Sequence, residues 1–242
     1  MASPALAHLT QLLDSKKLAG TLARPADPAR PRITTGVEPL SETLAGGWPQ
    51  GQLSELVGPQ SSGRTSVVMA TLAAVTRAGG VVGYVDVADR LDPQGMADAG
   101  VDVSRVLWVR GPQLSWQSGQ MRVGQPDRVG RVAEEALVRG LRAWDLIVRA
   151  GGFAVVVLDV ADVPSRWMRA LPMATWLRMA HALEGRDTVG LVVAAQGVGR
   201  SAQGTSVVLR ARGQWAGGSA QSRRLSGLSV SGPCSFALSA TH

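Results

Sequence analysis

The residues with the most evident chemical capacity form one short run, Gly58-Pro59-Gln60-Ser61-Ser62-Gly63-Arg64-Thr65, followed by Ser66. The run follows an apolar stretch, Leu53 to Val57, that reads as a strand, and it opens a stretch, Thr65 to Ala78, that reads as a helix. Glycines at such a junction let successive backbone N–H groups curve around phosphate, and the helix N-terminus adds a favourable dipole. Gly58, Ser62, Gly63, Arg64, Thr65 and Ser66 are therefore the candidate phosphate ligands. A loop of this type places a lysine before the hydroxyl residue, where its compact ammonium bridges terminal phosphates. Here Arg64 keeps the charge but not the shape, because a guanidinium is longer, planar and forked. Phosphate binding is the expectation from this run, and hydrolysis is not. ATP with magnesium is what such a loop could hold, and the sequence requires no cofactor.

Two further polar residues stand at the ends of apolar runs. Asp159 closes Phe153 to Leu158, and Gln196 follows Gly190 to Ala195. Unbroken β-branched runs of this kind are strands buried on both faces of a parallel sheet. Either polar residue could face a ligand at the sheet's edge, or simply terminate its strand. His8, His181 and His242 are too scattered for a metal site, and Cys234 has no partner. Most of the tryptophans read as core or partner contacts, and Trp48 as packing.

The elements that position these groups alternate. Strands are expected at Leu53 to Val57, Val81 to Val87, Val106 to Val109, the run ending at Asp159, and Gly190 to Ala195. Helices are expected over Thr65 to Ala78, Asp127 to Val148, and Ser165 to Leu183, the last kinked or split by Pro172. In the long helix, Val129, Val132, Ala136, Leu141 and Trp144 are expected on one face. Weaker strands follow around Ser206 to Arg212 and Arg224 to Val230. This order argues for an α/β domain with a mostly parallel central sheet flanked by helices. Ahead of it, Leu6, Leu9, Leu12 and Leu13 mark a short amphipathic helix. A linker containing Pro25, Pro28 and Pro31 separates that helix from the body. Residues 1–32 thus read as a tethered helix that packs on its own domain or docks on another subunit, and residues 33–242 as the core.

The chain has 242 residues, 45% hydrophobic and 18% charged, with a formal charge of +7. It shows no apolar run long enough for a membrane span, and its start lacks the pattern of a secretion signal. With one cysteine, a cytoplasmic protein is expected. The only lysines are Lys16 and Lys17, so the other basic residues are arginine. Asp187 is the last acid, and residues 188–242 carry Arg200, Arg210, Arg212, Arg223 and Arg224 uncompensated. Such a segment attracts polyanions, nucleic acid first.

Taken in order, Ile33 to Leu40, Gly46 to Val57, the run from Gly58, Tyr84 to Pro93 and Gly100 to Asp102 resemble the opening of the RecA recombinase core. The resemblance persists more thinly through Asp159, in the position that supports a metal shell, and Gln196, in the position that senses nucleotide. It implies a RecA-like fold. It also marks three departures: the loop lysine is Arg64, the glutamate that activates water is Ala88, and the ring that stacks on adenine is Gly95. Asp89, beside Ala88, is the one acid placed to substitute for the glutamate. The stretches after Asp159 and Gln196 are short compared with the recombinase.

With its tethered helix and basic end, the chain most resembles ImuA-type RecA homologues of damage-induced mutagenesis operons. That resemblance implies a non-catalytic accessory to error-prone translesion synthesis in the SOS response. Its partners would be an ImuB-type polymerase homologue, RecA itself and single-stranded DNA, with no membrane. Docking would fall to Leu6, Leu9, Leu12 and Leu13, and DNA contact to the five C-terminal arginines. The alternatives are a DNA-stimulated ATPase and a RecA-like cell-division inhibitor.

Overall fold

The computed structural model describes residues 30–112, 126–198, 203–216, 224–231 and 235–239. At its centre lies a six-stranded parallel sheet. Its strands are β3 (Leu53–Val57), β4 (Val82–Asp86), β5 (Val106–Arg110), β6 (Val155–Asp159), β7 (Val189–Ala194) and β8 (Gln203–Val208). Their spatial order is β5-β4-β6-β7-β3-β8, and every pairing is parallel. β3, β4 and β7 are buried along their whole length, as their continuous apolar sequences require of strands covered on both faces.

Alternation along the strands divides the core into two layers. Val82, Tyr84, Val155, Val157, Leu191 and Val193 join a cluster with Leu40, Trp48, Val67 and Leu72. These last residues come from helix α1 (Glu38–Thr43), the β-ribbon of β1 (Arg32–Ile33) and β2 (Trp48–Pro49), and helix α2 (Arg64–Arg77). Trp48 is fully buried and donates its indole N–H to Thr71 Oγ1 at 3.2 Å, as packing predicts. On the other face, Val85, Val156, Leu158 and Val192 meet Leu137, Trp144, Trp176 and Leu183. A short helix α3 (Pro93–Asp98) follows β4; α4 (Pro126–Ala150), α5 (Ser165–Ala170) and α6 (Met173–Leu183) are the other α-helices among the described residues. Pro172 does split the helix expected over 165–183, separating α5 from α6.

Two expectations need correcting. In α4 the inward face is Ala133, Ala136, Leu137, Trp144, Ile147 and Val148, whereas Val132 is 40% exposed. A spacing of three or four from Ala136 admits Val132 to the stripe, but the helix turns it to the solvent margin. The single strand expected at Ser206 to Arg212 is two strands. β8 ends at Val208, and Leu209, fully buried, donates its N–H to Val57 O at 2.7 Å. The chain then enters β9 (Arg210–Ala216), which forms a separate antiparallel sheet with β10 (Arg224–Ser231) and β11 (Ser235–Ser239).

Candidate nucleotide site

The loop joining β3 to α2 has the backbone of a phosphate cradle. Ser61 and Gly63 adopt left-handed conformations, with φ of 61° and 87°. Gly63 is the N-cap of α2 and offers no side-chain acceptor, so the first-turn N–H groups are not capped from within the helix. Thr65 and Ser66 are exposed on that turn, whereas Gly58, Ser62 and Gly63 are buried. Ser62 Oγ is buried without a hydrogen-bond partner.

Arg64 does not project into the mouth of the cradle. It is only 8% exposed, and its Nη1 donates to Gly58 O at the root of the loop and to Ala194 O, 3.4 Å away, at the end of β7. Beside it, β4 and β6 bring three polar side chains together. The register pairs Asp86 with Asp159 and Tyr84 with Val157, so Tyr84, Asp86 and Asp159 share the face that carries α2. Tyr84 Oη donates to Asp159 Oδ2 at 2.6 Å, and the Ala161 N–H donates to Asp159 Oδ1 at 3.0 Å. Burial raises the pKa of Asp159, opposed by those two hydrogen bonds. Burial, and then the neighbouring carboxylate charge, push the Tyr84 phenol well above its ordinary value.

Asp86 has a different task. Its carboxylate accepts from Arg90 N (3.0 Å) and Leu91 N (2.7 Å), fixing the turn that carries Ala88 and Asp89. Ala88 is 3% exposed and belongs to the apolar cluster under α4, with Val85, Val87 and Val163. Asp89, in a left-handed conformation, is held by Arg110 in a forked pair, Nε to Oδ1 at 2.8 Å and Nη2 to Oδ2 at 2.9 Å. The same guanidinium lies 4.5 Å from the Trp108 ring centroid. Both Asp89 oxygens are thus engaged, and the hydrogen bond from Arg110 lowers its pKa, a poor state for accepting a proton from water. Because the folded-state pKa lies below the ordinary carboxylate value, this pair stabilises the protein above that value. Its contribution is lost as pH falls through the lowered one. Asp89→Asn should therefore lower the melting temperature slightly at neutral pH and flatten the acid limb of its pH profile, the two proteins converging at low pH.

Gly95 is exposed on α3 and brings no ring to the site. Gln196 is exposed beside a cavity of about 370 Å³ between α5, α6 and the ends of β6 and β7, lined in part by Met168, Arg169, Trp176 and Val198. That cavity does not include the phosphate loop. Glu55, on β3, accepts from Val198 N at 2.5 Å and from Ser206 Oγ at 3.3 Å, tying the chain after β7 to β8. Sequence reasoning missed Tyr84, Asp86 and Glu55 as site-shaping residues. An acid inside each of two apolar runs was the available signal for Asp86 and Glu55; Tyr84 gave none.

Among the described residues, no group of three His, Cys, Asp or Glu could hold a metal ion. No described helix is long and apolar enough to cross a membrane. Of the C-terminal arginines, Arg210 lies in β9, and the register sets Arg212 opposite Ser229 and Arg224 opposite Ala216. Strand alternation, with an irregularity between Leu225 and Gly227, puts positions 210, 212 and 224 on one face of this sheet. Arg200, Arg223, Leu6, Leu9, Leu12 and Leu13 lie outside the described residues.

A family model of the RecA N-terminal domain matches residues 28–166, more than half of the chain. The chain belongs to the RecA family. Protein RecA of Synechococcus sp. (strain CC9902) is 35% identical over 143 residues, which is 58% of this chain and 32% of that protein. Protein RecA of Crocosphaera subtropica (strain ATCC 51142 / BH68) is 36% identical over 143 residues, 58% of this chain and 34% of that protein. The match therefore spans about a third of each RecA relative. Within the RecA family match lie the loop, Tyr84, Ala88 and Asp159; β7, β8 and the arginine-bearing sheet lie beyond it.

Proposed function

We propose that this RecA-family protein is an accessory that works by docking rather than by turning over ATP, in the manner of the ImuA-type homologues it resembles. The observation that carries the reading is the position of the water activator. Ala88 is enclosed in an apolar cluster, and its neighbour Asp89 has both oxygens on Arg110. Nothing at that turn is disposed to orient or deprotonate an attacking water.

In this reading the accessory supports error-prone synthesis across damaged DNA in the cytoplasm. It joins an ImuB-type polymerase homologue and RecA through Leu6, Leu9, Leu12 and Leu13. The face that holds positions 210, 212 and 224 supports a contact with the phosphates of single-stranded DNA, since no acid follows Asp187 to oppose it.

The test joins two measurements on the full chain. Phosphate release from ATP should stay at background with or without single-stranded DNA, and Asp89→Ala should not change it. Capture of the two protein partners should be lost in Leu9→Asp/Leu12→Asp. Turnover that is stimulated by DNA and falls in Asp89→Ala favours the ATPase reading, and undiminished capture removes the docking role of the helix.

A further inference from the structure

Three charged or polar groups at the phosphate loop are held in contacts internal to the protein. A magnesium nucleotide would place oxygens around the ion and would draw on the Asp159 carboxylate, directly or through the ion's water shell. Asp159 Oδ2 instead accepts from Tyr84 Oη at 2.6 Å, and Oδ1 from the Ala161 N–H. The Tyr84 ring cannot easily leave. It is 3% exposed, sits in the middle of β4, and belongs to the cluster formed with Val67, Leu72, Val155 and Val157. The phosphate charge would require the cation of the loop, yet the Arg64 guanidinium is turned back onto the carbonyls of Gly58 and Ala194. The donor set present therefore does not fit a magnesium nucleotide in this arrangement.

We infer that Tyr84 and Arg64 form an internal lock on the phosphate loop, in which Tyr84 withholds the carboxylate from a metal ion and Arg64 withholds the cation from phosphate. The two halves differ in what they block. Tyr84 acts through Asp159, so its effect requires the metal; Arg64 acts on phosphate, so its effect does not. This inference is independent of the docking role proposed above, because a nucleotide could bind without being hydrolysed.

The difference supplies the test. Binding of a fluorescent ADP analogue to the full chain is titrated with magnesium and, separately, with EDTA, for the natural protein, Tyr84→Phe, Arg64→Lys and the double variant. A hydrogen bond to a charged group corresponds to about ten- to a hundredfold in affinity, so Tyr84→Phe should tighten binding by about that factor in magnesium and leave it unchanged in EDTA. Arg64→Lys should tighten binding in both conditions, and the double variant should bind most tightly. Asp159→Asn added to Tyr84→Phe should cancel the magnesium-dependent gain. Both single substitutions preserve shape or charge, and thermal melts confirm folding. The inference is overturned if the natural protein binds as tightly as the double variant. It is equally overturned if Tyr84→Phe changes nothing in magnesium, or if its gain survives EDTA.

Discussion

Ala88→Glu should lower the melting temperature and yield no ATP turnover. The substitution restores the residue type expected of a water activator, but the site for it is the wrong one. Ala88 is 3% exposed in a cluster with Val85, Val87, Val160 and Val163, on the sheet face opposite Tyr84 and Asp159. Four extra heavy atoms must be fitted into packed space, and a carboxylate must leave water or displace its neighbours. The expected loss is about 2–4 kcal/mol, or about 5–15 °C in melting temperature for a chain of this size. Differential scanning calorimetry, beside a phosphate-release assay, checks both halves. Turnover gained without thermal loss would mean that the backbone at this turn can present a side chain to the loop, and would count against the docking reading.

Trp144→Ala should be more damaging still, at about 3–5 kcal/mol. The indole is fully buried and donates its N–H to Val156 O at 3.1 Å. It packs against Gly190 so closely that a Cβ added there would lie 2.8 Å from the ring and 2.5 Å from Leu183 Cδ1. Removing the ring empties a space shaped by a missing side chain across from it, and it leaves the Val156 carbonyl one partner short. Domains of this kind are stable by about 5–15 kcal/mol in all, so the variant should unfold at a much lower urea concentration, if it accumulates at all. Trp144→Phe, which keeps most of the volume, should recover more than half of the loss. A loss under about 1 kcal/mol would show that α4 is not a structural part of the second core layer.

The sheet was legible because β3, β4, β6 and β7 are nearly uninterrupted apolar runs, as strands covered on both faces require. The loop was legible because its glycines and its position between strand and helix are local. What lay hidden was contact between distant residues. Tyr84 and Asp159 lie 75 positions apart, with α3, β5 and the whole of α4 between them, and meet only because β4 and β6 are neighbours in the sheet. Tyr84 looked like one more apolar strand residue until its hydroxyl found a partner. Arg64 was conspicuous by its type, but its direction depends on the Ala194 carbonyl at the end of β7. The break between β8 and β9 was missed because the apolar pattern runs straight through Leu209 while the chain changes sheets. The short elements α1, α3, β1, β2 and β11 carry too few residues to establish a period.

The place of β3 in the sheet also governs how the protein must be built. β3 is an early strand, yet both of its neighbours, β7 and β8, come from the last third of the chain, with Leu53 pairing to Gly190 on one side and Gln203 on the other. On a ribosome, β3 and the loop it leads into must wait, with apolar edges open, until β7 and β8 have emerged about 135–155 residues later. A fragment trimmed to residues 28–166 would keep every residue of the phosphate loop and neither strand that holds β3 in place. In order of assembly, the phosphate loop, though encoded early, is completed only after strands that lie outside the family match.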